Sequence, residues 1–442
     1  GGSAGGSAGG SAGGSAGGSA GGSAGGSAGG SAGGSAGGSA GGSAGGSTPP
    51  TNSRVVQNSR FVAIAAFETS PAAGLPSIAT VREPTSTATT VLEAWEPALG
   101  PPLSTRVMNW ASDMRAEHIA SDSLGVTVIG GRTPMGLMAR QVDAAIAFNA
   151  VGADRLLEAP GPTTRLVRLR VLAPTSRNLV NPIVGLVDGT LPNQAILRRA
   201  STPPSLGVLF SSAMTGTARA DDVVELPGSQ LALSGRCENV CTLGGSISNP
   251  VAVGPTHRLG AIPFDPMGAG LQPPTSFESI AFFGVPTFDG NAPTRLVTDG
   301  NAFLYTVGQK PLGVLHIERR SRSNFAFTTS FTSTGQLTLV DAIRSPFDDT
   351  VLVLATVSGP GVTIANQSIA YTNNPATQGN VVLLRIDDGM QPLTVTTWDL
   401  PGDQRAVGFA HSLNDGIVPE HRVVIIGNQG NDAFIWSVLH PP

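Results

Sequence analysis

From Arg54 onward the chain is written in short apolar runs rich in Val, Ile, Leu, Thr and Phe, broken by Gly, Pro, Asn and Asp. Runs of this length with period-two alternation predict strands, and almost no stretch shows the 3.6-residue period of an amphipathic helix. Arg54 to Phe67, RVVQNSRFVAIAAF, reads as two short strands. The clearest unit is Asp403 to Val438. It comprises an alternating strand, a polar turn, an apolar strand stopped by Gly427, a short loop and a strand around Trp436.

The runs align with one another. One strand type is apolar and often stops at Gly: FVAIAAF (Phe61), VTVIGG (Val126), PIVGLVDG (Pro182), LALSG (Leu231), SIAFFG (Ser279), VLVLATVSG (Val351) and VVIIGN (Val423). A second follows it, as in TVLEAWEP (Thr90), AAIAFNA (Ala144), AFLYTVG (Ala302), VVLLRIDDG (Val381) and AFIWSV (Ala433). A third often begins Pro-Leu, as in PLGVLHIE (Pro311) and PLTVTTW (Pro392). A fourth precedes the next copy: RAEHIAS (Arg115), RADDVVEL (Arg219) and QRAVGFAH (Gln404).

Successive first strands lie about 65, 56, 49, 48, 72 and 72 residues apart, with insertions expected at Gly359–Gly379 and Gly235–Thr256. Four short strands repeated at such a period predict an all-β fold, a β-propeller of seven blades. A lone sheet of short strands cannot bury both faces; stacking around an axis buries them, and closure protects the edges. The competing arrangement, two β-sandwiches, predicts a compositional break at mid-chain, and the sequence has none.

Ahead of this region stand eleven copies of GGSA, then Gly45, Gly46 and Ser47. Such a segment has nothing to bury and is read as a flexible tether, with a root-mean-square span of about 40 Å and an extended reach of about 160 Å. The predicted organisation is therefore a linker over residues 1–53 and a propeller over 54–442. The region after the tether is long enough for a large core.

The repeats resemble the degenerate propeller repeats of secreted bacterial proteins, the SBBP-like family. That family alternates a GNVYVAG-type strand, an FVAKYD-type strand, an LW-type strand and a DD-type turn. RVVIIGN, VVLLRIDDG, PLTVTTW and GDQRAVGFAH follow this order best, while Arg155–Arg199 and Pro250–Gly300 follow it poorly. The resemblance implies a seven-bladed propeller on a cell-surface or secreted protein, and it carries no catalytic residues. The tether looks like the stalk that follows the lipidated cysteine of some outer-membrane lipoproteins. The resemblance implies a membrane link only through an N-terminal lipid anchor.

Charge adds limits. The net charge is −4, and Lys310 is the single lysine against many arginines. With abundant Ala, Gly and Pro, that suggests a high-GC bacterial genome, here Gram-negative. No basic stripe suggests nucleic-acid binding. The densest basic runs, Arg165–Arg170 (RLVRLR) and His316–Arg322 (HIERRSR), read as solvated strand faces. No apolar run approaches the roughly 18 residues of a membrane-spanning helix.

The only cysteines are Cys237 and Cys241. Two thiolates without a neighbouring His or further Cys make a poor zinc site. A local disulfide is the preferred reading, with free thiols the alternative, and a disulfide implies an extracytoplasmic location.

No cofactor motif, zinc-binding His spacing or nucleophile elbow appears. His118 and His411 occupy equivalent fourth strands and read as packed or rim residues. The Asp-Gly turns at Asp289, Asp387–Asp388 and Asn414–Asp415 are too short to cage calcium and fit hairpin chemistry. Trp95, Trp110, Trp398 and Trp436 read as core anchors.

Two functions remain. The first is a non-enzymatic binding or scaffold module, monomeric, taking a protein or glycan at the propeller mouth or top-face loops. The second is a propeller hydrolase or lyase acting on polysaccharide or lactone, with residues gathered from several blades. Two carboxylates with His or Arg at the axis would favour the second, and an axis of Val, Ala, Ser and Thr the first.

Overall fold

The computed structural model describes residues 52–439 apart from connecting segments, the longest being 67–76, 173–182, 264–280 and 370–379; residues 1–51 and 440–442 lie outside the described residues. Seven antiparallel sheets account for the repeats. Blade 1 contains Ser59–Ala66, Ile78–Pro84, Thr89–Trp95 and Ser104–Asn109, from the innermost strand outward. The inner strands of blades 2 to 7 are Arg115–Ser121, Arg165–Val171, Ala218–Leu226, Arg295–Thr298, Leu337–Arg344 and Gln404–Asn414. No α-helix occurs among the described residues, only a 3-10 turn at Pro311–Gly313.

The ring closes with a strand from the other end of the chain. Blade 7 has three strands of its own, and Asn52–Val56 pairs antiparallel with Asp432–Leu439 as the fourth, from Asn52 opposite Ser437 to Val56 opposite Ala433. By sequence alone the last copy is one strand short; this strand completes it.

The apolar faces meet between blades. Each adjacent pair of blades shares one buried cluster among the described residues. Phe61, Ile78 and Trp95 of blade 1 pack on Val424, Ile426 and Ile435 of blade 7. Trp398 of blade 6 meets Trp436 of blade 7 at 5.7 Å between ring centroids. Burying such aromatics dominates a core of this kind. Trp95 and Trp436 are fully buried as expected, whereas Trp110 is half-buried beneath the Arg115 guanidinium, 4.4 Å from its ring centroid.

The structure shifts the phase of the repeats at three places. FVAIAAF belongs to the inner strand of blade 1, not to a first strand; the equivalent of the other first strands is Ile78–Pro84. SIAFFG falls at the outer strand of blade 4, Ala281–Val285, and AFLYTVG takes the place expected of SIAFFG, next to the inner strand of blade 5. Blade 5 misleads because its inner strand is only four residues, RLVT. AAIAFNA contributes only a two-residue strand, Asn149–Ala150; the third strand of blade 2, counted from the axis, is Gly136–Asp143. The two insertions lie between the second and third strands of their blades. That of blade 4 forms a hairpin, Cys241–Leu243 with Ser246–Ser248, which adds to the outer edge of blade 3. That of blade 6 carries a small hairpin, Thr363–Ile364 with Gln367–Ser368.

One backbone irregularity recurs. Six of the seven inner strands carry a register shift at the same point, after Phe61, Ala116, Leu166, Ala220, Leu339 and Ala406. A bulge inserts one residue and turns the strand, re-aiming the next side chain. It also explains the Gly that often ends the neighbouring strand. Gly131 and Gly427 lie opposite Ala116 and Ala406, and a Cβ on either would strike the carbonyl oxygen of Arg115 or Arg405. Gly131→Val is therefore expected to cost about 2–3 kcal/mol, the range of overpacking against immovable backbone. Urea unfolding checks this against Gly100→Val, where an added Cβ would meet nothing closer than Glu96 Oε2 at 3.9 Å and little loss is expected.

Candidate functional site

The bulges assemble a charged layer at the axis. The residue after each shift is Ala63, His118, Arg168, Asp222, Asp341 or Gly408 in blades 1, 2, 3, 4, 6 and 7. Blade 5 contributes Arg295, the first residue of its short inner strand. Four successive blades thus alternate in sign: Arg168, Asp222, Arg295, Asp341.

These side chains bond to one another. Arg168 donates its Nε to Asp222 Oδ1 at 3.1 Å and its Nη1 to Asp341 Oδ2 at 3.3 Å, while its Nη2 reaches Asp341 Oδ1. The pair with Asp341 joins blade 3 to blade 6 across the axis. Arg170 donates Nη2 to Asp222 Oδ1 at 3.3 Å and Nε to the Val223 carbonyl at 3.1 Å. The Asp222 carboxylate is fully buried and also accepts the Val223 and Leu296 amides at 2.9 and 3.0 Å. Arg295 stands 3.2 Å from Asp341 Oδ1 through Nε, outside hydrogen-bond geometry, and rests its other nitrogens on the Thr294 and Val340 carbonyls at 3.1 and 3.4 Å.

The electrostatics follow from this packing. Burial pushes the Asp222 carboxyl up, but Arg168, Arg170, Arg295 and the Leu296 amide outweigh it and hold it at about 2. Burial acts the same way on Asp341, and Arg168 and Arg295 overcome it, so this acid too is held below the usual range. Burial and the neighbouring Arg168 both push Arg295 down. His118 has its Nε2 3.0 Å from the Leu166 carbonyl; burial, then Arg168, depress it to about 4. Its ring is neutral at pH 7. The His118 ring protons should titrate near pH 4 by NMR, against the usual value near 6.5. Because the folded value lies below the unfolded one, stability is full above about pH 6.5 and falls as pH drops toward 4.

The seven blades repeat one path, inner strand first, so the inner strands share a direction and their first residues ring one mouth. Arg60, Arg115, Arg165, Arg219 and Arg405 occupy the same place there, each immediately ahead of the residue at which the register shifts. Arg165 pairs with Asp188 and Arg115 with Glu83, each at 2.7 Å.

Several sequence expectations change. RLVRLR is not a solvated face throughout: Arg165 is exposed, whereas Arg168 and Arg170 serve the axial network. HIERRSR also folds inward. His316 bonds Thr332 at 2.7 Å, and Arg320 pairs with the buried Glu318. His118 is a member of the axial layer, while His411 is buried, 6.2 Å from His421 between ring centroids. In RADDVVEL the bulge separates two adjacent acids. Asp222 faces the axis, and Asp221 holds Arg236 at 2.8 Å, His257 Nδ1 at 3.3 Å and the Thr294 amide at 3.2 Å. Asp387 closes a hairpin turn by accepting the Gln391 amide at 2.6 Å. Cys237 is buried between blades 3 and 4, and the side chain of Cys241 lies outside the described residues. Asp403, Asp415 and His440 also lie outside them.

Sequence reasoning missed Arg168, Asp222, Arg295 and Asp341 as a group. A signal existed: a charged residue in mid-strand, where neighbouring copies carry Ala63 or Gly408.

The axis is therefore lined by two carboxylates with Arg and His rather than by Val, Ala, Ser and Thr alone. No family model matches the chain. No curated protein matches it either. Among solved structures, U3-55K is similar with a TM-score of 0.47 and 10% identity over 88% of this chain and 100% of the other. The RRP9 WD40 repeats give 0.47 and 10% over 89% and 99%, and the Dos1 propeller 0.47 and 9% over 88% and 94%.

Proposed function

We propose that the chain is a non-enzymatic binding or scaffold propeller that presents its axial mouth and top-face loops to a protein or glycan. The observation that carries this reading is the commitment of both axial carboxylates to arginines. A general acid or base works best with a pKa near the operating pH. Asp222 and Asp341 are held low and His118 near 4, so none is poised to give up a proton at neutrality. The second reading, a hydrolase or lyase acting on polysaccharide or lactone, keeps one observation in its favour, the gathering of those groups at the axis.

A glycan array and lactone and polysaccharide turnover assays separate the two. Binding without product is expected. Product formation that disappears in Asp341→Asn, with the fold retained by circular dichroism, would establish the enzyme instead.

The display part of the proposal rests on sequence. The GGSA segment is taken as a tether, monomeric display outside the cytoplasm as its purpose, and an N-terminal lipid as the means of attachment to the outer membrane. A Cys237–Cys241 disulfide belongs to the same reading, since Cys237 and Cys241 flank the turn into the hairpin that caps blade 3. Peptide mapping without reductant should recover the two cysteines joined, lighter than the reduced pair by the two hydrogens lost. Alkylation of both thiols in the unreduced protein would exclude the bond.

A further inference from the structure

The rim arginines of the mouth stand in consecutive blades. Around the ring they run Arg405 in blade 7, Arg60 in blade 1, Arg115 in blade 2, Arg165 in blade 3 and Arg219 in blade 4, all at one position of the inner strand. Blade 6 has Thr338 at that position, and the arc ends there. Arg60, Arg219 and Arg405 are exposed. Arg115 and Arg165 keep 43% and 52% side-chain exposure although each pairs with an acid, Glu83 and Asp188. Five arginines thus face two acids that pair with them. An exposed pair of this kind contributes little, so either arginine can turn to another anion.

The surface is open from outside, unlike the packed layer deeper in the channel. The chain also enters the ring on the other face. Val56 adjoins the arc, two residues ahead of Gln57–Ser59, while Asn52 stands at the far end of the closing strand. The entering chain therefore does not cover this mouth.

We propose that the arc binds an acidic polysaccharide, a linear chain with carboxylates at regular intervals, laid along blades 7, 1, 2, 3 and 4. The inference deepens the binding reading by naming the ligand chemistry, and it rests on that reading. Guanidinium forks match carboxylates, and like charges gathered round one mouth draw an anion toward it. The arginines recur once per blade, so their charges repeat along a curve. A flexible polymer of evenly spaced carboxylates can follow that curve and meet each fork in turn, whereas the acids of a folded protein are fixed at irregular points.

The test titrates the full chain with sodium polygalacturonate, with dextran as the neutral polymer and sodium poly-L-glutamate as the acidic peptide. Polygalacturonate should bind and dextran should not. Raising salt from about 50 to about 300 mM should weaken binding about tenfold, because these charges are screened. Arg60→Gln and Arg219→Gln should each weaken it about threefold, and the two together about tenfold. Arg322 follows the third strand of blade 5, whose end lies on the other face, so Arg322→Gln removes the same charge and should change nothing. An equal loss in Arg322→Gln would reduce the effect to net charge and overturn the arc. Binding that neither Arg60→Gln nor Arg219→Gln weakens would overturn it as well. Tighter binding of poly-L-glutamate than of polygalacturonate would overturn the glycan in favour of an acidic protein. Capture of a neutral glycan or a protein, with no binding of polygalacturonate, would reject the arc and leave the binding reading standing. Cleavage of polygalacturonate would reject that reading itself.

Discussion

Asp222→Ala is expected to lower the unfolding free energy by about 3–5 kcal/mol, the cost of removing one partner from a buried ion pair. Few single changes in this chain should do more damage. The carboxylate is fully buried and takes four donors: Arg168, Arg170 and the amides of Val223 and Leu296. Removing it leaves two guanidinium groups facing Arg295 with Asp341 as the remaining axial acid. It also leaves the Leu296 amide without its acceptor, loosening the short inner strand of blade 5. Asp222→Asn preserves the shape but not the charge, so it should lose most of the same stability.

The pH dependence has a definite sign. The folded carboxyl sits at about 2, below its ordinary value of 3.8. Its contribution is thus complete above about pH 4 and disappears as pH falls through 2. Urea midpoints measured from pH 7 to 2 should converge for wild type and Asp222→Asn at the acid end. A variant equal to wild type at pH 7 would show that the network contributes nothing to the fold.

Deleting residues 1–57 should have a comparable effect, about 4–6 kcal/mol, since each lost backbone hydrogen bond is worth about 1 kcal/mol. Removal of 1–47 should leave the midpoint where it was. The longer deletion takes away the closing strand, five paired residues along Asp432–Leu439. It also removes Arg54, which bonds the Gly100 carbonyl at 2.7 Å and lies over Trp95, 5.6 Å from its ring centroid. The exposed edge of the Asp432–Leu439 strand would then be open to pairing between copies. Thermal unfolding and light scattering measure both effects. A synthetic peptide spanning residues 51–57, added to the shortened protein, should recover part of the lost stability. Full stability of the 1–57 deletion without peptide would disprove closure by this strand.

Strand alternation and repeat spacing made the propeller legible, because burial between blades leaves apolar runs in every copy. Phase was harder to read. Long insertions and the four-residue inner strand of blade 5 displaced SIAFFG by two strand positions and AFLYTVG by one. Ring closure was legible only coarsely: the missing strand of the last copy pointed to closure against Arg54–Phe67, and the structure uses the first strand of that region, Asn52–Val56, while Ser59–Ala66 starts blade 1. The axial site was the least legible. Arg168, Asp222, Arg295 and Asp341 lie in four different blades; the shared bulge places three of them in one layer, and Arg295 joins it from the short inner strand of blade 5. In RLVRLR the eye meets three like residues; the fold gives Arg165 to the rim and the others to the channel.

The closing strand also imposes an order in time. Asn52–Val56 leaves the ribosome early, and Asp432 follows about 376 residues later. At about 5–20 residues per second the wait is roughly 20–75 s. During it, blades 1 to 6 can stack as they emerge, but no ring exists. The waiting strand is short and carries Arg54, features that discourage pairing with a neighbouring nascent chain. Completion of the ring is therefore a late event, when the last strand of the propeller to be made meets the first.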